Sequence, residues 1–155
     1  MTLSRWFEIM TPTPEGLFGI ANLVAMAGWL LLGVGIATRS NALRDRYAGI
    51  GVPALLAVGY LALIAVKGSS AEGGFSSLAG VAALFQSPWI LLAGWVHYLA
   101  FDLFVGAWIA RDADARGLPR ALLLPVLPCV FFLGPAGFLL WLGLRASIRP
   151  APAGT

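Results

Sequence analysis

Four long apolar stretches alternate with short polar segments along the 155-residue chain. They predict helices over residues 14–37, 50–66, 88–110 and 119–144. An α-helix crosses the hydrocarbon core of a bilayer with about 20 apolar residues, and the stretch 50–66 lies near the lower limit of that range. The pattern therefore predicts an all-α fold: a polytopic membrane protein with a four-transmembrane-helix bundle in a single membrane domain, residues 1–155.

Local signals mark where the first helix begins. Thr13 is a good N-cap, Pro14 suits the first helical position, and Glu15 complements the positive end of the helix dipole. Before them, residues 3–10 predict a short amphipathic segment in which Trp6 anchors the chain at the membrane boundary.

A short interfacial helix is predicted between the second and third long helices. Residues 67–74 are polar and glycine-rich and predict a loop. Phe75, Leu78, Ala82 and Phe85 then recur at helical spacing, which predicts a helix that lies at the membrane surface.

Composition supports a membrane setting. Hydrophobic residues make up 59% of the chain and charged residues only 11%, against about 25% charged residues in soluble domains. The net charge of +3 comes from arginines at the ends of apolar stretches. That placement favours membrane lipids over nucleic acid as the partner.

Positive charges also predict an orientation. The segments after the first and third long helices carry Arg39, Arg44, Arg46, Arg111, Arg116 and Arg120, and the opposite side carries Arg5, Lys67, Arg145 and Arg149. This bias places the first set in the cytoplasm and both termini outside. The richness in Ala, Gly, Pro and Arg is typical of a bacterial inner-membrane protein.

The third long helix carries the residues most suited to chemistry. His97 is the only histidine of the chain, and Asp102 is the only acid set deep within an apolar stretch. Ionisable groups at membrane depth are costly and usually face the interior of a bundle, where they find partners. A structural hydrogen bond between helices is the alternative reading of Asp102.

His97 and Asp102 lie on different faces of that helix, because five residues correspond to about 140° of rotation. His97 shares its face with Gly94, Phe101, Phe104 and Trp108, and Asp102 shares its face with Trp95, Tyr98, Leu99 and Gly106. An aromatic-lined apolar space with few polar groups suits a long conjugated or isoprenoid ligand. Ordinary packing of aromatic residues is the alternative.

Other sites are less favoured. Cys129 is the only cysteine, so it forms no intrachain disulfide and no cysteine cluster for a metal. As a haem ligand, His97 needs a second ligand or a second chain. Asp112 and Asp114 are either a cation site or, more simply, a solvated helix end flanked by arginines. We predict no metal site.

The fourth stretch contains helix-breaking residues. Each proline displaces the carbonyl four residues before it, and in a membrane such a carbonyl needs a partner. For Pro125, Pro128 and Pro135 these carbonyls belong to Ala121, Leu124 and Phe131. Small residues permit close approach of helices, so a cavity is predicted between the third and fourth long helices, near Gly134, Pro135 and Gly137. Asn22 in the first helix also needs a partner.

These motifs resemble a known family. Residues 94–106 (GWVHYLAFDLFVG) are similar to the signature of the abscisic-acid-deficient-four-like family, and residues 132–137 (FLGPAG) are similar to its second signature. The segment from Phe18 to Trp29 and residues 77–81 (SLAGV) also fit. The resemblance covers residues 15–145. Plant members are plastid membrane proteins needed to convert violaxanthin to neoxanthin.

The resemblance implies an integral membrane protein of carotenoid, xanthophyll or related isoprenoid metabolism. The plant reaction isomerises an epoxide to an allene with an alcohol, so it needs no redox cofactor, and we expect none. It requires an acid for the epoxide oxygen and a base for a vinylic proton. The candidates are Asp102 and His97, with Tyr98 as a further donor. The implied ligand-binding residues are Asn22, Trp29, Trp95, Phe101, Phe104, Trp108, Gly134, Pro135 and Gly137.

A second hypothesis is a non-catalytic module that binds a carotenoid or another lipid, either alone or as a partner subunit of an enzyme. The sequence does not identify the ligand, and it leaves open whether the chain forms a homo-oligomer.

Overall fold

In the computed structural model, which describes residues 12–148, every regular element is helical. The helices are α1 (Pro14–Thr38), α2 (Ala42–Lys67), α3 (Leu78–Leu84), α4 (Pro88–Ala115), α5 (Leu123–Leu133) and α6 (Pro135–Ser147), with short 3-10 turns at Gly68–Ser70 and Arg120–Leu122. Within the described residues, α1, α2 and α4 are long and apolar enough to cross a membrane. The all-helical class is confirmed. The segment predicted at 3–10 lies outside the described residues.

The start of α1 follows its capping signal. Thr13 has an extended backbone, and its Oγ1 accepts a hydrogen bond from the Gly16 N–H at 3.1 Å. Pro14 occupies the first helical position, where the missing N–H is not needed. The helix ends at Arg39, whose left-handed backbone (φ 57°) turns the chain towards α2.

The polar segment after α1 is helical rather than a loop. Residues Ala42–Gly51 form a π-helical start that continues into the α-helix Val52–Lys67. Arg44 is buried there and pairs with Asp45 and with Asp114 of α4. Because its charge is matched by two carboxylates, this segment packs against α1 and α4 instead of remaining in water. Predicted bounds of 50–66 therefore missed the first two turns.

The C-terminal end of α4 also extends beyond the predicted bound of 110. The helix continues to Ala115, and Gly117 (φ 64°) then turns the chain. Asp112 and Asp114 lie in this last part and both pair with arginines. The local sequence shows charged residues followed by a turn. It does not show that arginines distant in sequence pair with Asp112 and Asp114 and stabilise this end of α4 as a helix.

The fourth apolar stretch differs most from the prediction. The sequence predicted one helix over 119–144, whereas the structure has two helices, α5 and α6, which fold back on each other at Gly134 (φ 30°, ψ −89°). A Cβ added to Gly137 would collide with the backbone of Val130. Residues seven apart in one straight helix would be separated by about 10 Å. The stretch is thus a helical hairpin.

Both open ends of the hairpin lie at the same end of the molecule. Arg120, just before α5, pairs with Asp114, and Arg145, near the end of α6, pairs with Asp112. We call this region, where Arg44, Arg120 and Arg145 lie, the arginine end. The prediction placed Arg145 on the side opposite to Arg44 and Arg120, because it treated residues 119–144 as one helix.

The beginning and the end of the described chain lie at opposite ends of the molecule. The start of α1 lies beside Lys67 and Trp89, while Ile36 near its other end accepts a hydrogen bond from Arg120. Ile148 packs in the cluster at the arginine end. The prediction that both termini lie outside concerns residues 1–11 and 149–155, which lie outside the described residues.

Helix α4 is the centre of the molecule and packs against α1, α2 and the hairpin. Two apolar clusters bury its faces. The cluster at the arginine end contains fully buried side chains from three parts of the chain, Leu32, Leu103, Ile109, Val126, Val130 and Trp141. The other cluster joins α1, α2 and α4 through smaller residues such as Ala21, Ala25, Leu56 and Val96.

Candidate functional site

A cavity of about 280 Å³ lies between α1, α4 and the tip of the hairpin. Helix α1 forms one wall, α4 forms the second, and the last turn of α5 closes the space. Its lining residues are mostly aromatic or apolar, and they are Asn22, Ala25, Met26, Trp29, Trp95, Tyr98, Leu99, Asp102, Phe131 and Phe132.

Asp102 is the acidic residue among those that line this cavity. Its side chain is buried, and within the described residues its Oδ2 has no hydrogen-bond partner. Gly134 at the hairpin tip faces it, and a Cβ at that position would lie 2.5 Å from Asp102 Oδ1. A buried polar atom without a partner is rare and points to a strained or functional site. Asp102 is therefore a lining residue of the cavity with an unmet hydrogen-bonding capacity.

Tyr98 joins α4 to the hairpin. Its hydroxyl donates a hydrogen bond to the Phe131 carbonyl at 3.2 Å. Phe131 lies four residues before Pro135, which cannot donate to that carbonyl. The sequence predicted that this carbonyl needs a partner, and Tyr98 is the partner. The same hydrogen bond holds the phenol next to Asp102 at the cavity wall.

Asn22 also has the partners it needs. Its side-chain oxygen accepts a hydrogen bond from Trp95 Nε1 at 3.1 Å, and its amide donates to the Phe18 carbonyl at 2.9 Å. The bond from Trp95 links α4 to α1 at the cavity and fixes the indole, whereas the bond to Phe18 lies within α1. Asn22 thus organises the wall, with its amide group already satisfied.

Aromatic rings form the rest of the cavity. Trp29 packs edge-on against Phe131 with ring centroids 5.4 Å apart, and Trp95 packs against Tyr98 at 5.3 Å. Gly106 permits the position of Trp29, because a Cβ there would lie 2.7 Å from the indole. The arrangement is suited to a flat, apolar ligand group next to one carboxyl.

The structure does not bring His97 to this cavity. Its ring is exposed on the outer face of α4, 4.7 Å from the Phe101 ring and 5.8 Å from the Tyr60 ring by their centroids. Phe101 and Phe104 are exposed on the same surface. This position agrees with the rotation of about 140° around the helix axis between His97 and Asp102. His97 therefore has no access to Asp102.

The remaining predicted ligand-binding residues lie in the hairpin or on the part of α4 that packs against it. Gly134 contacts Asp102, whereas Gly137 packs against Val130 and Pro135 begins α6 on the exposed side. Trp108 lies outside the cavity, 5.7 Å from the Phe138 ring and beneath the guanidinium of Arg145.

Several lining residues were missed by the sequence. Ala25 and Met26 lie three and four residues after Asn22, so they share its helix face. That spacing was a usable signal. Phe132 is the first residue of the second family signature, but only the fold of the hairpin places it at this cavity.

A second polar cluster lies at the arginine end. Asp114 accepts hydrogen bonds from Arg44 and Arg120, and Asp112 accepts from Arg116, Arg145 and the buried Trp141 indole. These carboxylates are engaged by cationic side chains, which disfavours the cation-site reading. They are also more than a solvated helix end. Among the described residues, no group of three or more His, Cys, Asp or Glu side chains is placed to hold a metal.

Among the comparisons with known proteins, the comparison with protein families gives a match. No curated protein and no solved structure matches the chain. The sequence model of one family, described as ABA DEFICIENT 4-like, matches residues 16–141, a range that includes the whole cavity and the hairpin tip. With an all-helical fold, long apolar helices and this match over most of its length, the chain belongs to the ABA DEFICIENT 4-like family.

Proposed function

We propose that this protein is a membrane enzyme of carotenoid, xanthophyll or related isoprenoid metabolism, a non-redox isomerase that acts on an epoxide-bearing polyene end group. The observation that carries the proposal is Asp102, a buried carboxyl with an unpartnered oxygen in an aromatic cavity. The substrate class comes from the family. The site supplies an acid where the chemistry needs one.

The size of the cavity supports a bound end group. Its volume is about 280 Å³, just below the roughly 300–1,000 Å³ of complete small-molecule sites. Met26 and Phe132 line it and are also exposed on the outer surface of the molecule. A ring can therefore enter beside Asp102 while the polyene chain lies along the lipid-facing surface.

Asp102 can perform both proton transfers of such an isomerisation. In its neutral form the carboxyl donates its proton to the epoxide oxygen as the carbon–oxygen bond breaks. The resulting carboxylate then removes the vinylic proton on the neighbouring carbon, which forms the allene and regenerates the acid. One proton is given and one is taken, so the product is an isomer of the substrate and no redox cofactor takes part.

Tyr98 and His97 have different parts in this proposal. Tyr98 lies at the same cavity, and its hydroxyl can turn from the Phe131 carbonyl towards the substrate oxygen as a second donor. His97 lies outside the cavity. We therefore assign the acid and base roles to Asp102 and leave His97 on the lipid-facing surface.

The proposed setting is the inner membrane of a bacterium, with the whole chain as one membrane domain. Helices α1, α2 and α4 cross it. Arginines prefer the cytoplasmic side, so the arginine end faces the cytoplasm. The hairpin then enters from the cytoplasm and returns to it.

The test is conversion of an added epoxy-xanthophyll by the purified protein in mild detergent. Violaxanthin is incubated with wild type and with Asp102→Asn, and the pigments are separated and identified by mass. Asn keeps the shape of the carboxyl but cannot donate and recover a proton in the same way. We expect conversion to fall by about 10²-fold or more, with pigment binding retained.

His97→Gln is the matched control, because it changes an ionisable residue of the same helix outside the cavity. We expect it to convert within about twofold of wild type, an order-of-magnitude expectation for a group that is not at the reacting centre. A wild-type protein that retains pigment unchanged would support the non-catalytic binding module instead. Full activity in Asp102→Asn would end the catalytic assignment.

A further inference from the structure

A second, larger concavity lies at the opposite end of the molecule from the arginine cluster. It is a groove of about 840 Å³ between α1, α2 and α4. Its walls are almost wholly apolar and include Leu17, Val24, Leu55, Gly59, Leu92 and Val96. It is separate from the Asp102 cavity, because the contact between α1 and α4 lies between the two.

The groove has a polar mouth. Thr13, Lys67 and Trp89 line it at the end where α1 begins and α2 ends. The Lys67 ammonium lies 4.7 Å from the centre of the Trp89 ring. Tryptophan and lysine at such a boundary are typical of the water–membrane interface. The N-terminal turn of α4 begins beside this mouth and contains no acidic residue, so its dipole adds positive potential.

The length of the groove matches one leaflet of a bilayer. From Thr13 to Val24, α1 rises by about 16 Å at 1.5 Å per residue. Half of a hydrocarbon core of roughly 30 Å is about 15 Å. The groove therefore begins at the headgroup level, runs through one leaflet and ends near the midplane.

We propose that this groove is a binding site for an anionic glycerophospholipid, with an acyl chain between α1, α2 and α4 and the headgroup phosphate at Lys67. An acyl chain has the chemistry and the length of the apolar part, and a phosphate has the charge that the mouth attracts. An ammonium group carries three donors, so the phosphate can share Lys67 with other partners.

Gly59 allows the groove to be filled without disturbing the fold. It lines the groove, and a Cβ at this position would meet no heavy atom within 4 Å. Gly59→Leu places a bulky side chain where the acyl chain would lie, and leucine favours a helix more than glycine does. Gly19 of α1 is equally open but does not line the groove, so Gly19→Leu is the matched control.

The experiment measures lipid retention. Wild type and variants are reconstituted in bilayers of phosphatidylglycerol and phosphatidylcholine, extracted in mild detergent, and weighed intact by native mass spectrometry. We expect wild type and Gly19→Leu to retain one phosphatidylglycerol, and Gly59→Leu to lose at least about nine-tenths of that retention, the equivalent of a tenfold weaker affinity. Lys67→Gln should retain lipid but lose the preference for phosphatidylglycerol.

Three outcomes would overturn the proposal. One is equal retention by Gly59→Leu and Gly19→Leu in well-folded protein. Another is a wild-type preference for neither lipid. The third is a dimer that Gly59→Leu dissociates, which would assign the groove to a second copy of the chain. None of these readouts depends on pigment conversion, so the two proposals stand or fall separately.

Discussion

At the residue scale, the cavity depends on a close contact between Asp102 and Gly134. The carboxyl is buried, and the backbone of Gly134 adopts φ 30° and ψ −89° directly beside it. Residues with a side chain rarely adopt that backbone conformation. A side chain at this position would also collide with Asp102. Gly134 therefore sets how closely the hairpin tip approaches the carboxyl of Asp102, which lines the cavity.

We predict that Gly134→Ala destabilises the protein. The added methyl group would lie 2.5 Å from Asp102 Oδ1, and the backbone strain alone is about 1–3 kcal/mol. Thermal unfolding in detergent measures the loss. Gly143→Ala is the control, because a Cβ there meets nothing within 4 Å, and a helical alanine is favoured by up to about 1 kcal/mol. Equal stability of the two variants would contradict the close contact.

At the element scale, the hairpin α5–α6 is fixed at both its tip and its open ends. At the tip, Tyr98 donates to the Phe131 carbonyl. At the open ends, Asp114 holds Arg120, and Asp112 holds Arg145 and the indole of Trp141. Trp141 is fully buried, so its N–H depends on Asp112. An element of two short helices is stable in this position because α4 supplies partners along its length.

Removal of the Asp112 carboxylate should weaken this anchor. Asp112→Ala leaves a buried indole N–H without an acceptor, which costs about 1–3 kcal/mol, in addition to the lost pairing with Arg145. We expect a lower thermal transition and faster maleimide labelling of Cys129, which is half-buried on α5. Asp45→Ala is the comparison, because Arg44 keeps Asp114 as a second partner and the loss should be smaller. Identical effects would mean that the anchor does not hold the hairpin.

At the scale of the whole molecule, the hairpin determines which elements connect the two ends. Three long helices pass between the two ends of the molecule, and the hairpin leaves the arginine end and returns to it. Arg145 thereby joins Arg44 and Arg120 at one end. Among the described residues, the excess of arginines at one end is therefore larger than it would be if the fourth stretch were a single crossing helix. The Asp102 cavity lies between the two ends, near the middle of α4.

Reporter fusions test this topology. We expect fusions at Asn41, at Gly117 and after Ile148 to report the cytoplasm, and a fusion at Glu72 to report the outside, because arginine-rich segments stay in the cytoplasm. The fusion after Ile148 is the decisive one. An external report there, with the other three unchanged, would replace the hairpin by a fourth crossing. A reversal of all four would overturn only the orientation.

The sequence alone determined the class of the molecule and much of its local structure. Long apolar stretches predicted the long helices, and the Thr13-Pro14-Glu15 signal predicted where α1 begins. Helical spacing in residues 75–86 predicted the short helix α3. The face shared by Asp102, Tyr98 and Trp95 was also predicted, because the geometry of one helix fixes it. The motifs in α4 and at the hairpin tip identified the family.

Tertiary structure decided where the chain turns and which side chains meet. Charged residues of 42–49 and 111–115 become helical because Arg44, Asp112 and Asp114 find partners that are distant in sequence. Pro135 and Gly134 signal a break, but a break alone does not distinguish a kink from a reversal. The reversal depends on contacts of Gly134 with Asp102, of Gly137 with Val130 and of Arg145 with Asp112. The local sequence cannot predict these contacts, because the residues that they join come together only when the helices pack.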